Sequence, residues 1–397
     1  MSGEGSAAGA APASLASLAE RLGPDAATIE PAALAERARD WWALSFLAEA
    51  RGDRIVGPAA VVLPASTEEV AVVLRWATKT GTPVVPRGGG SGVSGGARPE
   101  QGWVVLDLTR MDRMLEVDDE SRAVHVEAGI RGDRLESALQ PRRLTVGNYT
   151  QSIAISTVGG WIAASSAGQA SAGFGAIADR LLGLTAVFGS GEVVSMKPMP
   201  RSAAGPDLRR LLVGSEGTLG VVTEAWLACS PLPTSSEWEV FGFPSFESCM
   251  AALRGVRRVE SGHPRLRRGG RRAELRSGRT RRGLLAIVGF DAGLPGLADR
   301  RRAVAEEATG AGGEGIDPSK EYGANWWNHR NDAVDLYRRI MGPDRIFWSG
   351  AVVDTMEVAG LWSGLPRLYA GVRAALAEGD PEPGRAAATR RSEVRLR

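Results

Sequence analysis

The sequence predicts an α+β protein with two globular domains behind a helical N-terminal arm. Three observations predict it. The chain has 397 residues, enough for two or three domains at about 100–200 residues each. Strand-like and helix-like stretches alternate from residue 60 onward, with turn residues between them. Pro231 and Pro233 interrupt that pattern, and a second series of strands and helices begins near residue 234.

Composition excludes several functions. Hydrophobic residues make up 43% and charged residues 24%, which is ordinary for a globular chain and excludes disorder throughout. The 48 basic and 46 acidic residues leave a net charge of +2. That argues against a dedicated nucleic-acid binder, whose affinity comes from neutralising phosphates. Cys229 and Cys249 are too few for a disulfide framework or a multi-cysteine zinc site. His125, His263 and His329 are scattered, so no metal is expected. No stretch reaches the roughly 18 apolar residues that span a bilayer. Met1–Pro12 lacks the basic-then-apolar order of a secretory signal. The expectation is a cytoplasmic protein with a small-molecule substrate, no nucleic acid, no membrane span and a homodimeric assembly.

The elements follow in order. Residues 1–13 are rich in Ala, Gly and Ser, and Leu15–Glu49 reads as a helical packing arm ending in Trp41, Trp42, Leu44, Phe46 and Leu47. Ala60–Leu63 is a short strand that Pro64 ends. Ser66 and Glu69 are spaced as a capping box, in which each side chain takes the other's backbone donor. The helix that follows places Val70, Val73, Leu74 and Ala77 on one face, and Gly81 stops it. Thr82–Val85, Trp103–Leu108 and Ala123–Ala128 are strands, and Ile130–Leu139 is a helix. Leu184–Phe188 and Val193–Met196 form a hairpin around Gly189-Ser190-Gly191. Leu219–Ala228 closes the series. In the second domain Glu237–Phe243 and Leu284–Phe290 are strands, and Phe246–Val256 and Leu297–Thr309 are helices.

Two stretches break the pattern. Residues 265–282 hold nine Arg and a single acid, and Arg385–Arg397 is again Arg-rich. Such runs read first as solvated loops. A nucleic-acid patch would need aromatic context that is missing. A reading out of frame also stays open, because 45 Arg against 3 Lys fits a GC-rich gene whose shifted frames yield Arg-, Gly- and Ala-rich text.

The glycines carry the functional signal. Pro86–Gly96 holds six glycines in eleven residues, and Gly90–Gly95 fits G-x-G-x-x-G after a strand. A dinucleotide loop of the Rossmann type must open a helix. Here Ala97–Gly102 leads straight into a strand, so that reading fails. A Walker A loop fails too, since no Gly-Lys-Ser/Thr follows. What remains is a nest of backbone amides able to converge on an anion. Two further segments fit walls around a large, flat, phosphorylated cofactor. One is the small, apolar run from Ser156-Thr-Val-Gly-Gly-Trp161 through Ser165-Ser-Ala-Gly168 to Asp179. The other is Gly214-Ser-Glu-Gly-Thr-Leu-Gly-Val-Val222.

In this order, Pro-Arg-Gly-Gly-Gly-Ser-Gly, Ser-Thr-Val-Gly-Gly-Trp and Gly-Ser-Glu-Gly-Thr-Leu-Gly-Val-Val-Thr-Glu resemble the FAD-binding fold of the vanillyl-alcohol oxidase and p-cresol methylhydroxylase superfamily. The likeness is nearest to alkyldihydroxyacetonephosphate synthase and to FAD-linked oxidases of the D-lactate dehydrogenase type. It implies an arm at 1–54, a two-subdomain FAD-binding domain of the p-cresol methylhydroxylase type at 55–233, and an incomplete α+β substrate (cap) domain at 234–397. It also implies site residues. Pro86, Arg87, Gly88, Gly89, Gly90, Ser91 and Gly92 would wrap the FAD pyrophosphate. Gln151, Ser152, Ile153, Ala154, Ile155, Ser156 and Thr157, with Ala163, Ala164, Ser165 and Ser166, would line the flavin and its ribityl chain. Glu216, Gly217, Thr218, Leu219, Gly220, Val221 and Val222 would touch the cofactor from the second half of the domain. Some members attach FAD through a His in the first loop. Arg87–Ser91 has none, so the resemblance implies non-covalent FAD.

In the second domain, Glu321–Arg330, Asp332–Met341 and Ser349–Glu357 resemble cap segments of the bacterial oxidases. The family continues with a Tyr and a His-rich stretch near the flavin, whereas here the likeness stops after Leu376. His329 and Arg330 are the candidate catalytic residues, with a helix-surface pair as the plain alternative. The implied function is FAD-dependent oxidation of a hydroxy-acid or alcohol-type substrate. Two alternatives stay open: a synthase-like transferase whose flavin forms an adduct without net redox change, and an inactive FAD-binding remnant. Val in place of Gly89 or Gly90 is expected to block the anion's approach.

Overall fold

The computed structural model describes residues 12–23, 26–53, 55–201, 203–262, 271–278, 283–291, 296–316, 321–329, 331–332, 359–378 and 393–395. The chain divides into two compact units, Met1–Gly168 with Gly175–Leu232, and Gln169–Phe174 with Pro233–Arg397.

The first unit opens with the arm. It is three helices, Pro12–Leu22, Pro31–Arg37 and Ala43–Ala50, with a two-residue strand, Ala27–Thr28, after the first. The helical arm read over Leu15–Glu49 is thus divided into three helices. Pro31 opens a fresh helix, since its missing N–H costs nothing in a first turn.

The strands Ala27–Thr28, Ala60–Val62, Val104–Asp107 and Val84–Arg87 lie in that order in a four-stranded sheet. The last three run parallel. Val104, Val105 and Leu106 are fully buried, which is why this strand reads as an unbroken apolar run rather than an alternation. The crossover is the helix Thr67–Thr80. Its N-terminus corrects the capping box by one residue. Ser66 Oγ accepts from the Glu69 amide at 3.2 Å, but Glu69 Oε2 accepts from the Ala65 amide at 2.8 Å rather than from Ser66.

Val70, Val73 and Leu74 of this helix are buried together with Leu106, Val187 and Val221. Each such side chain stabilises the fold by about 1.5–3 kcal/mol. Thr67 Oγ1 donates to Thr223 Oγ1 at 2.8 Å inside the unit. The helix is thereby tied to a second, antiparallel sheet. That sheet holds Met114–Asp118, Ala123–Glu127, Gly220–Ala228, Leu181–Phe188 and Val193–Met196, in that order. The hairpin around Gly189–Gly191 is present, with Val187 opposite Val193. The strand Met114–Asp118 was not read from the sequence, because Leu115 and Glu116 are both exposed and break the alternation. The helix Gly132–Leu139 starts two residues later than read. It packs Leu135 and Leu139 against Val124, Val126 and Trp161.

The second unit has one antiparallel sheet in the order Glu314–Gly315, Ser236–Phe243, Gly283–Asp291, Arg271–Gly278, Glu393–Arg395. Helices Phe246–Gly262 and Leu297–Gly310 bury Cys249, Leu253 and Val304 with Phe241, Phe243 and Val288. Residues 271–278 and 393–395 are strands, which corrects the solvated-loop reading of the two Arg-rich stretches. Hydrogen bonding to the apolar neighbour Gly283–Asp291 fixes the first of them. The rest of 265–282 and of 385–397 lies outside the described residues. No helix among the described residues is long and apolar enough to cross a membrane. Among the same residues no group of three or more His, Cys, Asp or Glu is placed to hold a metal ion.

Leu135 is fully buried, so Leu135→Ala leaves a cavity in the first unit. The expected loss is about 3 kcal/mol, read as a lower urea midpoint of that unit's transition.

Candidate functional site

The strand Val84–Arg87 runs into the glycine loop at its carboxyl end, where open parallel sheets hold their ligands. The loop lies directly on the second glycine-rich segment. A Cβ built on Gly88 would sit 2.1 Å from Thr157 Oγ1, and one on Gly89 would sit 1.6 Å from the Ile155 carbonyl oxygen. No side chain fits either place, so glycine is required for the approach itself. Among the described residues no protein acceptor takes the amides of residues 88–96. Gly90 in the middle of this run is buried. Buried amides are almost always satisfied, so the Gly90 amide calls for a partner, and an anion held by it and by the half-buried amides of residues 88, 89 and 91 would supply one.

The segment 151–157 is itself pinned. Gly132 N–H donates to the Ser156 carbonyl at 3.1 Å, and Asp133 N–H to the Ile153 carbonyl at 3.1 Å. Trp161 is buried and its Nε1 donates to Ser156 Oγ at 2.8 Å. Ile153, Ser156 and Thr157 are buried, Gln151, Ser152 and Ile155 half-buried, and Ala154 exposed. Thr157 caps the helix Val158–Ala163, its Oγ1 accepting from the Gly160 amide at 3.4 Å. Ala163 and Ala164 close that helix. Ser165 follows in the left-handed region at φ 48°, and Ser166 Oγ accepts from Asn148 Nδ2 at 3.0 Å.

The third segment joins both. Glu216 N–H donates to the Ala163 carbonyl at 3.0 Å, and Gly214 N–H to the Ile162 carbonyl at 3.0 Å. A Cβ on Gly217 would touch the Pro86 ring at 3.0 Å. Thr218 and Leu219 are exposed, and Gly220, Val221 and Val222 enter the strand Gly220–Ala228 as buried residues. Pro86 and Gly217–Val221 also line an open cleft of about 360 Å³ together with Leu74, Ala77 and Thr78. The three sequence-separated segments thus converge in one unit.

Charge around the loop is mixed. Arg87 donates from Nη1 to the Arg39 carbonyl at 3.0 Å, and burial lowers its pKa against the opposing pull of Asp107. Asp107 is buried, accepting from Arg37 Nε at 2.9 Å and from the Thr109 amide at 3.0 Å. Partial burial, and then the nearby charge of Asp40, push the Glu216 carboxyl above its usual range. Sequence reasoning missed Arg37, Arg39, Asp40 and Asn148, because single residues in a helical arm or a loop carry no periodic or motif signal.

The remaining candidates lie elsewhere. His329 is at the exposed end of the helix Glu321–His329 in the second unit, with Nδ1 2.8 Å from the Asn325 carbonyl. Arg330 lies outside the described residues, as do most of 332–341 and all of 349–357. His125 stands on the antiparallel sheet, stacked on Trp226 and 3.0 Å from Glu224. Burial pushes the Cys229 thiol up to about 12, which leaves no thiolate for chemistry. Asp179 Oδ2 accepts from the Ala176 amide at 3.0 Å, a local helix-capping contact.

Residues 58–197 match a family described as FAD binding domain. The chain is 34% identical over 206 residues to alkyldihydroxyacetonephosphate synthase of Dictyostelium discoideum, covering 51% of this chain and 34% of that protein. It is also 34% identical over 239 residues to D-2-hydroxyglutarate dehydrogenase of Xanthomonas citri pv. viticola, covering 58% of this chain and 48% of that protein. The matched stretch is thus less than half the length of either relative. Among solved structures, an alkyldihydroxyacetonephosphate synthase aligns with a TM-score of 0.76 at 24% identity, over 94% of this chain and 76% of that one. A p-cresol methylhydroxylase with substrate bound aligns at 0.62 and 15% identity, over 77% of this chain and 65% of that one. At these identities the structures bear on the fold alone. The domain at 58–197 makes FAD the cofactor, and the bare amides of 88–96 suit its diphosphate.

Two outcomes follow. Gly89→Ala drives a Cβ into the Ile155 carbonyl. Flavin content of the purified variant should then fall below about a tenth of wild type, with the far-UV spectrum unchanged, since packed interiors do not absorb such an overlap. The reason differs from the blocked anion expected from sequence: the loop is pushed off its neighbour. The second concerns Glu216, whose carboxyl sits above the ordinary value of 4.5. The stability it contributes is complete in acid and is lost as pH rises through the raised value. The melting temperature of the wild-type apoprotein should therefore fall relative to Glu216→Gln as pH rises from 4.5.

Proposed function

We propose that this chain is an FAD-dependent oxidoreductase that takes electrons from a small hydroxy-acid or alcohol-type substrate. The observation that carries the reading is the meeting of residues 88–89 with 155–157 beneath nine unpaired amides. The relative that oxidises a 2-hydroxy acid, D-2-hydroxyglutarate dehydrogenase, supports the substrate class. In this reading residues 86–92 wrap the diphosphate, 151–157 and 163–166 face the flavin side, and 216–222 support the cofactor from the next strand. The division at Leu232/Pro233 supports 55–233 as the cofactor domain and 234–397 as the substrate domain. His329 and Arg330 remain the candidate groups of the latter.

When bound, the flavin accepts the electron pair; the protein supplies position and electrostatics. The amides of 88–96 neutralise the diphosphate without competing side chains. Trp161 and Ser156 hold the backbone of the flavin-side segment in one place. No His stands in the first loop, which supports non-covalent attachment.

A transferase of the alkyldihydroxyacetonephosphate synthase kind is favoured by one specific observation, the 34% identity to that enzyme from Dictyostelium discoideum. Two assays separate the readings. Anaerobic addition of 2-hydroxy acids, D-2-hydroxyglutarate among them, should bleach the visible flavin absorbance. Exchange of the acyl chain of acyl-dihydroxyacetone phosphate for a fatty alcohol, with no bleaching, would select the transferase. Flavin that stays bound and inert in both would leave the remnant. Acid precipitation should release the flavin into the supernatant; a yellow pellet would overturn non-covalent attachment.

A further inference from the structure

The N-terminal arm reaches the glycine loop through residues 39–42, at three separate points. At the loop's entry, Arg87 Nη1 donates to the Arg39 carbonyl at 3.0 Å. That guanidinium lies where a Gly90 side chain would be, with Cζ 2.3 Å from a built Cβ. In the middle, Trp41 N–H donates to the Gly92 carbonyl at 2.8 Å. At the exit, Asp40 joins both chains. Its Oδ1 accepts from the Trp42 amide at 3.1 Å and its Oδ2 from the Ala97 amide at 3.5 Å. Asp40 is 1% exposed, so these contacts are made away from water, where a lost partner is not replaced.

Between entry and exit the loop donates no amide to the protein. A glycine-rich loop has more backbone freedom to lose than any other, and this one has no ladder of its own to hold it. Its shape is therefore set from outside, by residues 155–157 against Gly88 and Gly89 and by the arm from Gly90 to Ala97. A carboxylate beside an anion site would repel the ligand if it acted as a contact. Asp40 is instead spent on two protein amides, which marks it as an anchor.

We propose that residues 39–42 are a clamp that presets the glycine loop for the diphosphate of FAD, with Asp40 as its positioning residue. The proposal rests on the FAD reading above. Neither carboxylate oxygen of Asp40 touches the cofactor in this scheme; the residue acts through the loop amides it holds in place.

The test is titration of the apoprotein with FAD, followed by flavin fluorescence, alongside the apoprotein's melting temperature. Four proteins are compared: wild type, Asp40→Ala, Asp40→Asn and Leu34→Ala. Leu34 belongs to the arm helix Pro31–Arg37 and packs beside Val61, Val85 and Val105, so it reports arm packing. Asp40→Ala should weaken FAD at least tenfold, more than Leu34→Ala does for the same fall in melting temperature. Asp40→Asn keeps an oxygen for the Trp42 amide but sets an NH2 donor against the Ala97 amide, so it should lose affinity nearly as far as Asp40→Ala. Wild-type affinity in Asp40→Ala, within twofold, would overturn the clamp. So would losses that simply track melting temperature across the variants. If Asp40→Ala does not fold, Trp41→Pro, which removes the donor to Gly92, decides on the same two readouts. A wild-type apoprotein that binds no FAD would instead sink the cofactor reading.

Discussion

The first unit depends on one close approach. Gly88 and Gly89 lie so near Thr157 and the Ile155 carbonyl that no Cβ could stand between them. Two chain segments some seventy residues apart are thereby brought to backbone contact. Side chains cannot do this, because each would hold the backbones several ångströms apart. The amides of residues 88–96 take no acceptor among the described residues, and an anion can satisfy several of them together.

The scaffold makes that approach possible without flexible parts. The helix Thr67–Thr80 shares one core with the parallel sheet and with Val187 and Val221 of the antiparallel sheet. The buried Thr67–Thr223 bond fixes its register against both. The loop after Val84–Arg87 and the turn before Gly220–Ala228 therefore emerge side by side, and Gly217 meets Pro86. Positions set by rigid strands hold a binding geometry better than positions set by free loops. The charges follow the same economy. Arg37 takes Asp107 and Arg87 turns to the Arg39 carbonyl, so both cations are occupied by the protein beneath the loop.

Much of this was legible because it rests on local pattern. The face Val70, Val73, Leu74 and Ala77 gave the crossover helix, and the glycine spacing after a strand with no following helix excluded a dinucleotide loop. Other features were not legible, for identifiable reasons. Ser66-x-x-Glu69 has the capping spacing, yet the Glu69 side chain prefers the Ala65 amide. Spacing alone does not decide between two adjacent donors. Arg271–Gly278 has the composition of a solvated loop, but pairing with an apolar strand makes it sheet. Asp40 and Arg39 looked like ordinary arm residues, since their meaning lies in contacts with residues some fifty positions away.

By itself, then, the sequence located most strands and helices of the first unit and its bare-backbone stretches, and those stretches pointed to a phosphorylated, planar cofactor. It could do so because periodicity and glycine content act through the nearest few residues. Only the tertiary structure decided which glycines press against which carbonyls, and that the arm holds the loop at entry, middle and exit. Those are distances between remote segments, fixed by how the two sheets and the shared helix pack, and packing is not written in any short stretch of chain.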